Sequence, residues 1–262
     1  MRLRDLLTFL ALTFLIAWTI LASYVFMPET LAGWFGALTG SHPLFYLAVW
    51  APALSALMVI AYRSGIAGVG GFLRRFLLLK ASWPWSVFLI LGVPAVFFIA
   101  ALLKTGAYDD PFPFPSLPAY LLTLFLMAIK GPVEEIGWRG LALPLLQQRM
   151  APIWAGVVLG IIWGVWHLPA FLISGVPQSG WSFGHFFVGV VALSVIVTPL
   201  FNASEGSIML SAFFHLQLMN PLWPDAQPYD SYFFVGVALI VIWLNRRTLF
   251  SRDNAVVEVV PQ

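Results

Sequence analysis

The segment Lys130-Gly-Pro-Val-Glu134-Glu135-Ile-Gly-Trp-Arg139-Gly140 packs four charges into eleven residues of a chain that is only 9% charged. Adjacent Glu134 and Glu135 point about 100° apart on a helix of about 3.6 residues per turn, so the two carboxylates should have different jobs. Glu135 and Arg139 are four residues apart and can pair on one helix face, as can Lys130 and Glu134. The division expected is one carboxylate toward a polar cavity and the other held by Arg139. Gly131, Pro132 and Gly137 would permit local unwinding or close approach of another helix. Downstream stand Trp163-Gly-Val-Trp166-His167-Leu-Pro169 and Ser211-Ala-Phe-Phe-His215-Leu-Gln217-Leu-Met-Asn220. Carboxylates and imidazoles that converge from separate segments around water can carry general acid–base hydrolysis. His42 and His185 lie in a loop and at a segment edge, and read as structural.

The elements that must position these groups are membrane helices. The chain of 262 residues is 61% hydrophobic, with 12 Trp and 23 Phe. Soluble domains average about 25% charged residues. Too few charges are present to coat a water-facing surface, which excludes a soluble domain, a disordered chain and a nucleic-acid binder. No cysteine is present, so disulfides, thiolate nucleophiles and Cys-ligated metals are also excluded. A span needs about 20 apolar residues. Eight are read, at about 6–27, 44–62, 84–103, 118–138, 153–173, 184–201, 207–223 and 231–245, in a single integral membrane domain of residues 1–262 with a core motif region at about 118–220. The basic start and following apolar run are taken as the first membrane helix, not as a signal peptide.

The basic residues fix an orientation. Arg2, Arg4, Arg63, Arg74, Arg75, Lys80, Arg149, Arg246, Arg247 and Arg252, ten of the thirteen Lys and Arg, fall at one end of this threading. Glu29, Asp109, Asp110, Asp225 and Asp230 fall at the other, with Lys104. The positive-inside pattern predicts an all-α polytopic bundle with both termini in the cytoplasm. The expected location is a bacterial cytoplasmic membrane, with the site toward its cytoplasmic half. Residues 64–83 read either as an amphipathic helix with arginines toward lipid headgroups or as an ordinary loop anchor.

The string Glu134-Glu135-x-x-x-Arg139 resembles the first motif of the CPBP intramembrane protease family, which includes the type II CAAX prenyl endopeptidases. Its fuller form Glu-Glu-x-x-Trp-Arg-Gly is typical of bacterial members. Trp163-x-x-x-His167, followed by Leu-Pro, resembles the family's Phe-x-x-x-His motif. His215 matches the start of the third, His-x-x-x-Asn, but Met219 stands at the fourth following position and Asn220 comes one residue late. Asn202-Ala-Ser-Glu-Gly-Ser207 is similar to the turn before the third-motif helix, and Trp50-Ala-Pro52-Ala-Leu-Ser-Ala56 to the family's second helix. The resemblance covers about residues 45–220.

That resemblance implies an intramembrane endopeptidase using a glutamate-activated water. Glu134 would be the general base and His167 would help polarise the water. His215, aided by Asn220, would donate to the oxyanion, while Glu135 and Arg139 would orient the site. No cofactor is required in this reading. A divalent metal such as zinc on Glu134, His167 and His215 is the competing chemistry, although no His-Glu-x-x-His helix exists. Ser211 precedes His215 by four residues, but no carboxylate is placed to complete a serine route. The expected partners are the bilayer and a membrane-associated protein or peptide, whose prenylation the bacterial form of the motif disfavours. Two other functions compete. One is a non-proteolytic relative that binds a membrane partner as an immunity or maturation factor. The other is a transporter, which the lack of repeats and the tight clustering of charge disfavour.

Overall fold

The computed structural model describes residues 1–106, 110 and 112–261; Asp109 and Pro111, which the sequence placed in an external loop, lie outside the described residues. The described residues are all-helical, without strands. Six helices are long and apolar enough to cross a membrane: α1 (Leu3–Phe26), α2 (Ala51–Leu77), α3 (Trp83–Thr105), α4 (Leu117–Gln147), α5 (Pro152–Leu172) and α6 (Phe183–Ala203). Two shorter apolar helices follow, α7 (Ile208–Leu218) and α8 (Tyr229–Leu244). These eight agree in number and order with the segments read from hydropathy, but the second starts at Ala51 and runs to Leu77, since Pro43–Val49 is a separate helix, and the fourth runs on to Gln147. Two short helices, Pro28–Phe35 and Pro43–Val49, fill the connection from α1 to α2.

Apolar side chains face outward in the manner of lipid-solvated helices. Leu15, Leu91, Leu103, Leu122, Leu239 and Trp243 are all exposed. α6 is the central helix, packed against α5 on one side and α8 on the other. Small residues make the first contact close. A Cβ on Gly156 would lie 2.7 Å from the Thr198 hydroxyl, and one on Gly160 would lie 2.8 Å from the Val191 backbone. The approach lets Ser194 Oγ donate to the Gly156 carbonyl at 2.8 Å. Where burial of apolar surface gives little gain, such small-residue contacts and interhelical hydrogen bonds hold helices together.

The two ends of the bundle are chemically distinct. At one, Arg63 pairs with Asp5 at 2.6 Å, Lys80 with Glu205 at 2.9 Å, and Arg252 donates to the Gln148 carbonyl. At the other, Lys104 pairs with Asp225 at 2.9 Å.

The segment 64–83 differs from both sequence readings. Gly65 adopts φ +65°, a conformation other residues resist, and breaks the helix there. The chain then continues helically to Leu73 and ends in a 3₁₀ turn, Arg74–Leu77. Arg74 is exposed, but Arg75 is turned inward and 1% exposed. It donates to the carbonyls of Gly206 and Gly140, each at 3.0 Å, and of Val259 at 3.2 Å, and lies over the Phe201 ring. Three backbone carbonyls, not lipid headgroups, hold this guanidinium.

Candidate active site

α4 is not one regular helix, and its irregularity builds the site. Regular structure stops at Ala128, a 3₁₀ turn covers Pro132–Glu134, and a wide π turn covers Trp138–Ala142. Pro132 has no N–H to give to the preceding turn. The Trp50 indole donates to the Ile129 carbonyl at 2.7 Å, next to the interruption. A side chain at Gly131 would collide with the Met219 sulfur and come within 3.0 Å of His215 Nε2, so its absence admits α7. A Cβ at Gly137 would lie 2.5 Å from the Pro52 carbonyl oxygen, and glycine there admits α2. The Trp50–Ala56 stretch thus meets the motif helix at two points.

Glu134 and Glu135 are both buried and point to different surroundings, as their offset of about 100° predicts. Glu135 Oε1 accepts from Arg139 at 3.0 Å and lies 2.8 Å from His215 Nδ1. Glu135 Oε2 and Arg139 Nε have no hydrogen-bond partner. Glu134 instead faces a cavity of about 490 Å³. Its Oε2 accepts from the indole N–H of Trp163 at 2.9 Å and of Trp138 at 3.3 Å. Among the described residues no donor reaches Oε1, which is therefore the oxygen free to take a hydrogen from water.

His167, His215 and Asn220 line the same cavity as Glu134. His167 Nδ1 lies 2.8 Å from the Trp163 carbonyl, which can only accept, so Nδ1 carries hydrogen and Nε2 of the neutral ring is an acceptor. By the same logic His215 Nδ1 donates to Glu135. The late position of Asn220 has a simple consequence. α7 ends at Leu218, so Met219 caps the helix and Asn220 sits in the loop beyond it, where its side-chain oxygen accepts from Leu222 N at 3.1 Å. Lys130 does not bridge to Glu134. Its ammonium lies 4.8 Å from the Phe45 ring centroid and 5.9 Å from that of Tyr46. Ser211 Oγ donates to the Ser207 carbonyl and does not line the cavity.

Trp163 stands where the motif it resembles has phenylalanine. The structure makes it a hub. Its ring packs against His167 at 5.6 Å and His215 at 5.4 Å, the Arg139 guanidinium lies 4.6 Å from its centroid, and its N–H holds Glu134. The signal was available, because a buried indole N–H needs an acceptor and the unexplained acceptor nearby in the motif set was a glutamate.

Among the described residues, no group of three or more His, Asp or Glu is arranged to hold a metal ion. Two of the imidazole nitrogens of the proposed donor set are committed to Glu135 and to a backbone carbonyl.

The site's depth also departs from the reading. Ending the fourth span at 138 had placed Glu134 near the basic end. α4 runs on to Gln147, so Glu134 lies near its middle, level with His167 and His215 in the later turns of α5 and α7.

Residues 115–220 match the family described as type II CAAX prenyl endopeptidase Rce1-like. A relative from Methanococcus maripaludis described as CAAX prenyl protease 2 is 27% identical over 183 residues, which cover 63% of this chain and 67% of that one. The matched span contains all three motifs. Together with the apolar helices, these likenesses support a membrane-embedded endopeptidase.

Proposed function

We propose that the protein is an intramembrane endopeptidase in which Glu134 activates water against a peptide bond of a membrane-associated protein or peptide. The observation that carries this reading is the asymmetric solvation of Glu134: two indoles fix Oε2, and Oε1 is left toward the cavity. A water held between Glu134 Oε1 and His167 Nε2 gives its proton to the carboxylate as its oxygen attacks the carbonyl carbon. His215, carrying hydrogen on both nitrogens and balanced by Glu135, donates to the oxyanion with Asn220 beside it. Glu134 then passes the proton to the leaving nitrogen as the C–N bond breaks. Glu135 and Arg139 hold His215 in place. No step requires a metal or another cofactor.

The test compares membrane proteins from cells carrying wild-type protein and the Glu134→Gln variant, reading new membrane-proximal termini. Termini that appear only with wild type support the endopeptidase. An unchanged cellular effect with no Glu134-dependent termini would transfer the function to non-proteolytic partner binding. Full cleavage after treatment with a strong chelator is expected. Stoichiometric zinc whose removal abolishes cleavage would replace the metal-free scheme.

A further inference from the structure

The cavity and the basic residues occupy opposite ends of the bundle. Between α5 and α6 the wall includes Pro177, Gln178 and Trp181, and between α7 and α8 it includes Trp223, Asp225 and Gln227. Pro177 and Asp225 are exposed, so the cavity reaches the surface there. Lys104, in a loop of that end, is paired with Asp225, and Lys130, within α4, lines the cavity with its ammonium over the Phe45 ring. None of the ten Lys and Arg residues at the other end lines the cavity.

At that other end the C-terminal stretch covers α4 and α6. Arg75 ties Gly140 of α4 to Gly206 and Val259. Gln147 and Gln148 donate to the carbonyls of Val256 and Val257, each at 2.8 Å, and Asn202 accepts from Val256 N at 3.0 Å. The stretch 256–260 therefore lies across the basic ends of α4 and α6. Loop arginines and lysines close to the spans set which end of a polytopic protein stays in the cytoplasm.

We infer that the catalytic cavity opens on the non-cytoplasmic side, and that its substrates are membrane-anchored polypeptides whose scissile segment emerges at that face. The second half of this inference rests on the endopeptidase reading; the first half stands on charge and geometry alone. It reverses the cytoplasmic-half placement expected from sequence, and its physical cause is the extra length of α4 together with the strap at the basic end.

The cysteine-free chain allows a direct test. Ser41→Cys and Ser179→Cys mark the cavity end at exposed residues that do not line it, and Ser82→Cys and Asn254→Cys mark the basic end. Each full-length variant is treated in intact cells with a membrane-impermeant maleimide. The expected result is labelling of the first pair in intact cells and of the second pair only after permeabilisation. The reverse pattern would overturn the orientation. Two markers at each end keep the test readable if one variant fails to fold. Termini dependent on Glu134 should then map to non-cytoplasmic segments, and cytoplasmic ones would overturn the substrate class. A total absence of such termini with the expected labelling would defeat the endopeptidase reading while leaving the orientation standing.

Discussion

From Leu117 to Ala128, α4 buries no residue; from Gly137 to Gln147, every residue is buried. The buried half is the one that carries Arg139 and Gln147, so apolar composition does not explain the difference. What differs is the neighbour. The first half presents Leu121, Leu122 and Phe125 outward, and its ends are held by the Ser116 cap, by Tyr120 against Phe112 and Phe114, and by the Trp50 indole on the Ile129 carbonyl. The second half is gripped by α2, α7, Phe9 and Phe72, through glycines that let backbone and rings come close. The Glu pair sits where one regime gives way to the other. A carboxylate at that boundary is enclosed enough to be fixed by indoles and still reaches water through the cavity. Wholly inside, it would lack a substrate path; wholly outside, it would face lipid at high cost.

The sharpest test of this comparison removes the base and nothing else. Glu134→Gln keeps size and an acceptor oxygen for the two indoles. Loss of general-base catalysis costs about 10²- to 10⁴-fold in rate. We expect a loss of that size in peptide cleavage by purified protein, with thermal unfolding in detergent unchanged. Cleavage within a few-fold of wild type would remove Glu134 from the chemistry.

Arg139→Met strikes the packed half. It leaves Glu135 buried with His215 as its sole strong partner. Breaking a buried pair on one side costs about 3–5 kcal/mol. The expected outcome is a large fall in unfolding temperature together with loss of cleavage. A stable Arg139→Met protein would mean that the second half of α4 tolerates bare charge, and the contrast between the halves would weaken.

Trp163→Phe restores the residue of the family's motif and deletes one N–H. A hydrogen bond to a charged group is worth about 1.5–3 kcal/mol, and losing it lets the Glu134 carboxylate turn away from the attacking water, so a reduction of roughly 10- to 100-fold is expected. The informative readout is the split: kcat and kcat/KM should fall together. A rise in KM alone would make Trp163 a substrate-wall residue rather than a positioning residue for Glu134.

These residues also show what the sequence could reveal. The eight apolar segments and the divergent placement of Glu134 and Glu135 follow from length and helical periodicity, and both are legible in the sequence. Arg75 was not. It sits beside exposed Arg74 in a run that reads as interfacial, and only the three carbonyls supplied from residues 140, 206 and 259 turn it inward. The same holds for the end of α4. Nothing in Leu141–Gln147 forbids a loop after 138; burial by the strap at 256–260 and by Asn202 extends the helix. Long-range partners decided each case that local pattern could not.

The smallest expected effect tests the outward half. Leu122 is 60% exposed and touches the surroundings rather than the bundle. Substitution at a site without buried contacts changes stability by about 0.5 kcal/mol or less. Leu122→Ala should therefore unfold within that margin of wild type in detergent and cleave peptide at the wild-type rate. A loss comparable to that of Arg139→Met would show that Leu117–Ala128 packs against something in the membrane, a second copy or another chain. The two halves of α4 would then differ in the partner that buries them and not in whether they are buried.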